Sequence, residues 1–210
     1  GAGAWDAAAG AARRGRAMAA IRVLTTEDSA ANADKVAKAA EEHGAVSTDT
    51  VQSLYWWDGK VNDDPEWRVS VETTEKSLTL VMEALQGAHS YDTPMIIYDL
   101  PASEAPADVS KSPYCKGVVE CQTQEDGKAL ANVLVTERIL ACAQASEDGR
   151  LAVKTVGGCQ AKVDQVCKER NLEVVWTAIG GNQAYLQWLV EECKGAPEGA
   201  PEGAPEGAPE

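Results

Sequence analysis

Histidine is nearly absent from this 210-residue chain, which has His43 and His89 and no others. A general base must therefore be one of these or a carboxylate. No Ser/His/Asp or paired-acid signature sets one beside a nucleophile, so the chain is not expected to be an enzyme. Positive charge is scarce: 19 Lys and Arg stand against 33 Asp and Glu, a formal charge of −14 and a pI near 4.6. That balance lacks the broad basic surface that counterion release on a nucleic acid requires, and it disfavours anionic membranes as well. No run of about 18 apolar residues is present, so no helix is expected to span a bilayer, although docking onto a membrane complex stays open. Gly157-Gly158 and Gly180-Gly181 lack the Lys-Ser/Thr signature of a phosphate cradle and read as loop boundaries.

What is present is a chain that is 44% hydrophobic, long enough for two small domains of about 80 to 100 residues. Its first twenty residues are Ala-rich, with Arg13, Arg14 and Arg16 against Asp6. They read either as the remainder of a processed organelle-targeting segment or as an arbitrary fragment start. At the other end Gly195-Ala196-Pro197-Glu198 recurs four times up to Glu210. Such a segment forbids helix and strand and repels itself, so an extended, flexible acidic tail is expected.

Between these ends one pattern occurs twice. Ile21 to Thr26 is an apolar strand, Glu27-Asp28-Ser29 starts a helix running to about His43, and Gly44 stops it. A β-rich stretch from Val46 to Trp57 meets Asp58-Gly59, a hairpin signal. On the return strand Trp67, Val69 and Val71 alternate with Arg68, Ser70 and Glu72, the pattern of a sheet buried on one face. Leu78, Val81, Met82 and Leu85 stand at helical spacing, and Thr93 to Leu100 supplies a fourth strand. Sliding the chain on itself sets Glu27-Asp28 on Glu125-Asp126 at an offset of 98, and Glu41 on Glu137 at 96. Leu78, Met82 and Leu85 then fall on Cys159, Val163 and Val166 at 81. The drop from 96 to 81 predicts 15 residues missing from the second hairpin, whose arms would be Cys142 to Ala145 and Leu151 to Thr155 around Glu147-Asp148-Gly149. An added terminal helix carries Tyr185, Trp188, Leu189 and Cys193 at core spacing. The expected fold is therefore α+β, with two tandem ferredoxin-like βαββαβ units, the second with a shortened hairpin, plus a C-terminal helix. The boundaries are an N-terminal tail at 1–20, a first unit at 21–101, a linker at 102–115, a second unit at 116–194 and the acidic tail at 195–210.

These residues resemble the CutA family of divalent-cation tolerance proteins. Ser53-Leu54-Tyr55-Trp56-Trp57-Asp58-Gly59-Lys60-Val61 is similar to that family's hairpin tip. His89-Ser90-Tyr91-Asp92-Thr93-Pro94 is similar to its His-Pro-Tyr-x-x-Pro, with Ser90 in place of Pro and Met95 in place of Glu. Leu140-Ala141-Cys142-Ala143 and Tyr185-Leu186-Gln187-Trp188-Leu189 resemble its segment after the first helix and its last helix. The resemblance implies a ferredoxin-like unit that assembles through long hairpins, so self-association of such units is an expected mode. It also implies copper ligation by Cys121, Cys142 and His89, because thiolate and imidazole suit that metal. The family's markers are nevertheless divided: the first copy has His89 and Tyr91 but no cysteine, and the second has Cys121 and Cys142 but places Arg170 and Leu172 where His89 and Tyr91 would fall. One pruned hairpin also means that a three-fold assembly of identical units cannot be repeated unmodified.

The six cysteines, separated by 6, 21, 17, 8 and 26 residues, contain no CxxC and fit no zinc framework. Cys159 and Cys167 share a helical stripe with Val163 and read as small core residues. Tyr55, Trp56, Trp57, Lys60 and Tyr91 are the candidate interface residues. Two functions follow as expectations. One is a non-catalytic structural accessory subunit without a cofactor, docked through its hairpin into a large organellar assembly, with a plastid and a photosynthetic complex in view. The other is a CutA-type copper-binding tolerance protein.

Overall fold

In the computed structural model the described residues are 20–194, so the expected terminal tails lie outside them. Eight strands and five helices follow one another as β1 (Ile21–Glu27), α1 (Ala30–Ala40), β2 (Ala45–Trp57), β3 (Lys60–Thr73), α2 (Leu78–Ala88), β4 (Ile96–Asp99), β5 (Tyr114–Glu120), α3 (Gln124–Thr136), β6 (Cys142–Ser146), β7 (Arg150–Val156), α4 (Gln160–Lys168), β8 (Val174–Gly181) and α5 (Gln183–Glu192). The order strand-helix-strand-strand-helix-strand thus occurs twice. Local chemistry explains the boundaries. Ser29 and Thr123 cap α1 and α3 by accepting the amides of Asn32 and Asp126. Asp58 and Gly59 both take positive φ, 53° and 75°, which gives a two-residue turn the twist its flanking strands need. β4 is shorter than the expected Thr93 to Leu100 because residues 89–95 form an irregular loop.

All strand pairs are antiparallel, and they close into one barrel in the order β1-β3-β2-β6-β7-β5-β8-β4. Within it β4-β1-β3-β2 and β8-β5-β7-β6 repeat one strand order. The two four-stranded sheets meet edge to edge twice, at β2–β6 (Val51 to Tyr55 against Cys142 to Ser146) and at β4–β8 (Ile97 to Asp99 against Ile179 to Gly181). Side chains seal both seams. Arg68 of β3 pairs with Asp49 and reaches Ser146 Oγ at 3.3 Å. Lys116 Nζ lies 2.6 Å from Asp99 Oδ1. Asn182 donates its backbone amide to the Ile96 carbonyl and accepts the Ile96 amide through Oδ1, both at 3.0 Å.

Helices cover the outside. The first half buries Val23, Val36, Val69, Val71, Val81 and Leu85 in its own core. A larger core unites Leu130, Leu134, Leu151, Val153, Val163 and Leu189 with the barrel interior residues Leu24, Ile97 and Ile179. Buried positions refine the internal alignment. Val36 and Ala37 of α1 correspond to Leu134 and Val135 of α3 at an offset of 98, while Val81 and Leu85 correspond to Val163 and Cys167 at 82, not 81. The difference, 98 − 82, is 16 residues. The difference lies in the hairpin, whose arms are 13 and 14 residues in the first half and 5 and 7 in the second.

The interior face is unusually polar. Lys154 is fully buried and hydrogen-bonded to Gln144 Oε1, with Cys142 directly opposite it on β6. Removal from water holds the Lys154 ammonium well below its ordinary range, at about 8.

Two stability tests follow. At Gly181 an added Cβ would lie 2.6 Å from the Ile96 carbonyl, across the β4–β8 seam, whereas at Gly87 in α2 it would meet nothing within 4 Å. Gly181→Ala should therefore lose roughly 1–3 kcal/mol in urea unfolding, and Gly87→Ala should lose nothing or gain about 0.5–1 kcal/mol. For Lys154, a base whose folded pKa lies below its unfolded one, the cost of burying charge is complete below about pH 8. It is relieved as pH rises towards the unfolded value near 10.4. The stability of wild type relative to Lys154→Met should consequently rise across that window, and parallel pH profiles for the two proteins would refute the buried ammonium.

Candidate functional site

At one mouth of the barrel lies a pocket of about 890 Å³. Three pieces of chain meet there: the distal part of the β2–β3 hairpin, the 89–95 loop that leads into β4, and one face of α5. The loop is anchored by Glu27, the last residue of β1, and His89, the C-cap of α2. His89 Nε2 lies 3.0 Å from Thr25 Oγ1, and its Nδ1 lies 3.1 Å from Glu27 Oε1 and accepts the Tyr91 amide at 3.1 Å. The Glu27 carboxylate in turn accepts the backbone amide of Ser90 at 3.0 Å and the Ser90 hydroxyl. Both side chains are wholly buried, and burial lowers the His89 pKa, which favours neutral imidazole. Helix α5 is anchored by Tyr185, whose hydroxyl is 3.0 Å from Cys142 Sγ, and by Leu189 and Cys193 in the larger core. At its far end Arg138 pairs with Glu192 and stacks 4.6 Å over the Trp56 ring, so one guanidinium ties the hairpin to the helix.

Inside the mouth Glu66 stands on β3, its carboxylate accepting the Tyr91 hydroxyl at 3.2 Å. Burial raises its pKa, partly offset by the hydroxyls around it and by the more distant Lys154. No Lys, Arg or His lines the pocket, whereas Glu66, Asp92 and Glu191 all do. Two of the pocket tyrosines are locked as neutral phenols by carboxylates: Tyr55 donates to Asp64 at 2.8 Å and Tyr91 to Glu66, and burial beside those carboxylates pushes both pKa values well up.

The residues singled out from sequence are distributed as follows. Tyr55, Trp57 and Tyr91 line the pocket. Trp56 turns the other way, packing on the second half and donating its amide to the Ala141 carbonyl at 3.1 Å. Lys60 is exposed beside the turn, opposite Trp57, which is 58% exposed. Cys121, Cys142 and His89 are not brought together. Cys142 is committed to Tyr185 in the pocket wall, His89 to Thr25 and Glu27, and Cys121 to the β6–β7 turn, where its amide donates to the Gly149 carbonyl at 2.9 Å. Among the described residues no group of three or more His, Cys, Asp or Glu is placed to hold a metal ion, so this set does not fit copper here. Cys121 and Cys142 also have thiols raised by burial, which opposes the thiolate a metal needs. All six cysteines are free, and Cys159 and Cys167 are buried as core residues. Glu66, Gln144 and Met95 were missed as site residues. The available signal for Glu66 was its place in the alternation of β3, on the face assigned to solvent.

The description "CutA1 divalent ion tolerance protein" is that of the family model matching residues 21–108. Protein CutA 1, chloroplastic, of Oryza sativa is 38% identical over 47 residues, 22% of this chain and 27% of that protein. The chain thus spans about a quarter of that relative's length. The divalent-cation tolerance protein CutA of Citrobacter koseri is 31% identical over 93 residues, 43% of this chain and 80% of the relative. Among solved structures, CutA from Synechococcus elongatus is 32% identical, covering 40% of this chain and 78% of that one with a TM-score of 0.37. With four-fifths of the Citrobacter koseri protein matched at that identity, the chain belongs to the CutA family of divalent-cation tolerance proteins.

Proposed function

We propose that this chain serves divalent-cation tolerance as a non-catalytic binding protein, built from two tandem copies of one ferredoxin-like unit, with the barrel-mouth pocket as its ligand site. The observation that carries this reading is the pocket's charge: three carboxylates line it and no basic side chain does, so it selects positively charged ligands. The relatives' printed names supply the biological setting. Support for the tandem origin comes from the twice-repeated element order and from core positions that correspond at fixed offsets in the helices of both halves. The chloroplastic relative makes a plastid the compartment we favour.

The alternative of an accessory subunit rests on the exposed Trp57 at the hairpin tip, beside Lys60. Tryptophan is enriched at protein contact sites, which is what supports this reading. The relatives' names, however, point to cation tolerance and none to a photosynthetic complex.

Growth in raised copper provides the test. Expressed in a bacterial host deleted for its own divalent-cation tolerance protein, the chain should restore growth. Ala184→Trp, which fills the pocket from an exposed position on α5, should abolish that rescue without altering the circular dichroism spectrum. A folded wild-type chain that fails to rescue would remove the proposal.

A further inference from the structure

Resting on the reading of the barrel mouth as a ligand site, we infer that the pocket binds an organic cation, an ammonium group carrying an apolar or aromatic substituent, and not a coordinated metal ion. The walls decide between the two classes of cation. A metal ion needs several convergent oxygen, nitrogen or sulfur ligands at short range, and no such group exists among the described residues. The pocket offers five aromatic side chains instead: Tyr55, Trp57 and Tyr91 on the hairpin and loop side, and Tyr185 and Trp188 on α5. Tyr185 and Trp188 are already stacked against each other, with ring centroids 5.4 Å apart. Aromatic faces attract ammonium groups and are poor ligands for hydrated divalent ions.

The polar groups agree with that assignment. The Glu66 carboxylate is placed among the aromatics with no cation paired to it, held in position by the Tyr91 hydroxyl at 3.2 Å. A mostly buried carboxylate whose counter-charge, Lys154, acts only from a distance is costly unless a ligand supplies a closer one. Two further pocket atoms are buried without a hydrogen-bond partner, the Ser53 hydroxyl and Trp188 Nε1. Ser53 is only 3% exposed, and its Oγ stands beside the Glu66 carboxylate without meeting hydrogen-bond geometry. The site encloses about 890 Å³, within the range of small-molecule pockets.

The inference is tested by titrating the full purified chain with three molecules of one shape and three charges: benzylamine, benzyl alcohol and benzoate. Intrinsic tryptophan fluorescence reads the result, because Trp57 and Trp188 both line the site, and calorimetry confirms it. Benzylamine should bind at least tenfold more tightly than benzyl alcohol, and benzoate more weakly than either. Glu66→Gln should erase most of the preference for benzylamine over the alcohol. Trp57→Ala, at an exposed position where folding is not at risk, should weaken benzylamine severalfold and leave benzyl alcohol less affected. Equal affinity for amine and alcohol, or a preference that both variants leave intact, overturns the inference. Growth rescue in copper without any preference for the amine would remove the organic cation while leaving the tolerance function standing. A preference without rescue would do the reverse.

Discussion

Everything in this molecule depends on two sheet edges being satisfied within one chain. A four-stranded antiparallel sheet with helices on one side leaves an outer strand at each edge with unpaired amides and carbonyls, which template pairing with other chains. Here β2 meets β6 and β4 meets β8, so the free edge of each half becomes the partner of the other. Closure disposes of the liability without a second molecule. It also explains why Gly181 stands at a seam, admitting the Ile96 carbonyl where any larger residue would hold the strands apart, and why Lys116–Asp99 and Arg68–Asp49 sit across or beside the seams.

Closure then decides the fate of the face that helices do not cover. In an open sheet Glu66, Arg68, Gln144 and Lys154 would face water. Rolled into a barrel, the same face becomes an interior, and its charges lose their solvent. Lys154 meets that cost with one hydrogen bond to Gln144 and a depressed pKa, Arg68 with Asp49, and Glu66 with the Tyr91 hydroxyl and the more distant charge of Lys154. The polar interior is thus a consequence of topology acting on an ordinary alternating strand. Glu66, which has no ion-pair partner, borders the open mouth.

This is also where sequence reasoning stopped. The capped helices, the turn at Asp58-Gly59, the pruned second hairpin and the core roles of Cys159 and Cys167 follow from local chemistry and periodicity, and all were readable. The alternation Trp67, Val69, Val71 against Arg68, Ser70, Glu72 was readable as well, but alternation states only that two faces differ. Whether the polar face meets bulk water or a lumen is set by edge pairing some 80 to 100 residues away in sequence, as in Val51 with Ser146 or Asp99 with Ile179. Lys154 and Glu66 were accordingly invisible as buried groups. Cys121, Cys142 and His89 were grouped by resemblance to a family and not by any spacing that would force them together, and each is in fact occupied by its own neighbours.

The division of family markers between the two halves, puzzling in the sequence, has a geometric resolution. His89, Ser90 and Tyr91 immediately precede β4, while the terminal helix α5 immediately follows β8. Because β4 and β8 are adjacent, with Asn182 at the start of α5 bonded both ways to Ile96, the loop present in one half and the helix present in the other arrive at the same mouth. The long hairpin arrives there too, since Trp57 lines the pocket while Trp56 is held by Arg138 and Ala141 of the second half. Two identical units closed in this way would build two equivalent mouths, each with its own loop, helix and hairpin. With one long hairpin, the loop in one half and the helix in the other, the three elements lie at a single end. Their convergence is a property of the closed topology: an element placed just before β4 and one placed just after β8 must arrive at the same end of the barrel.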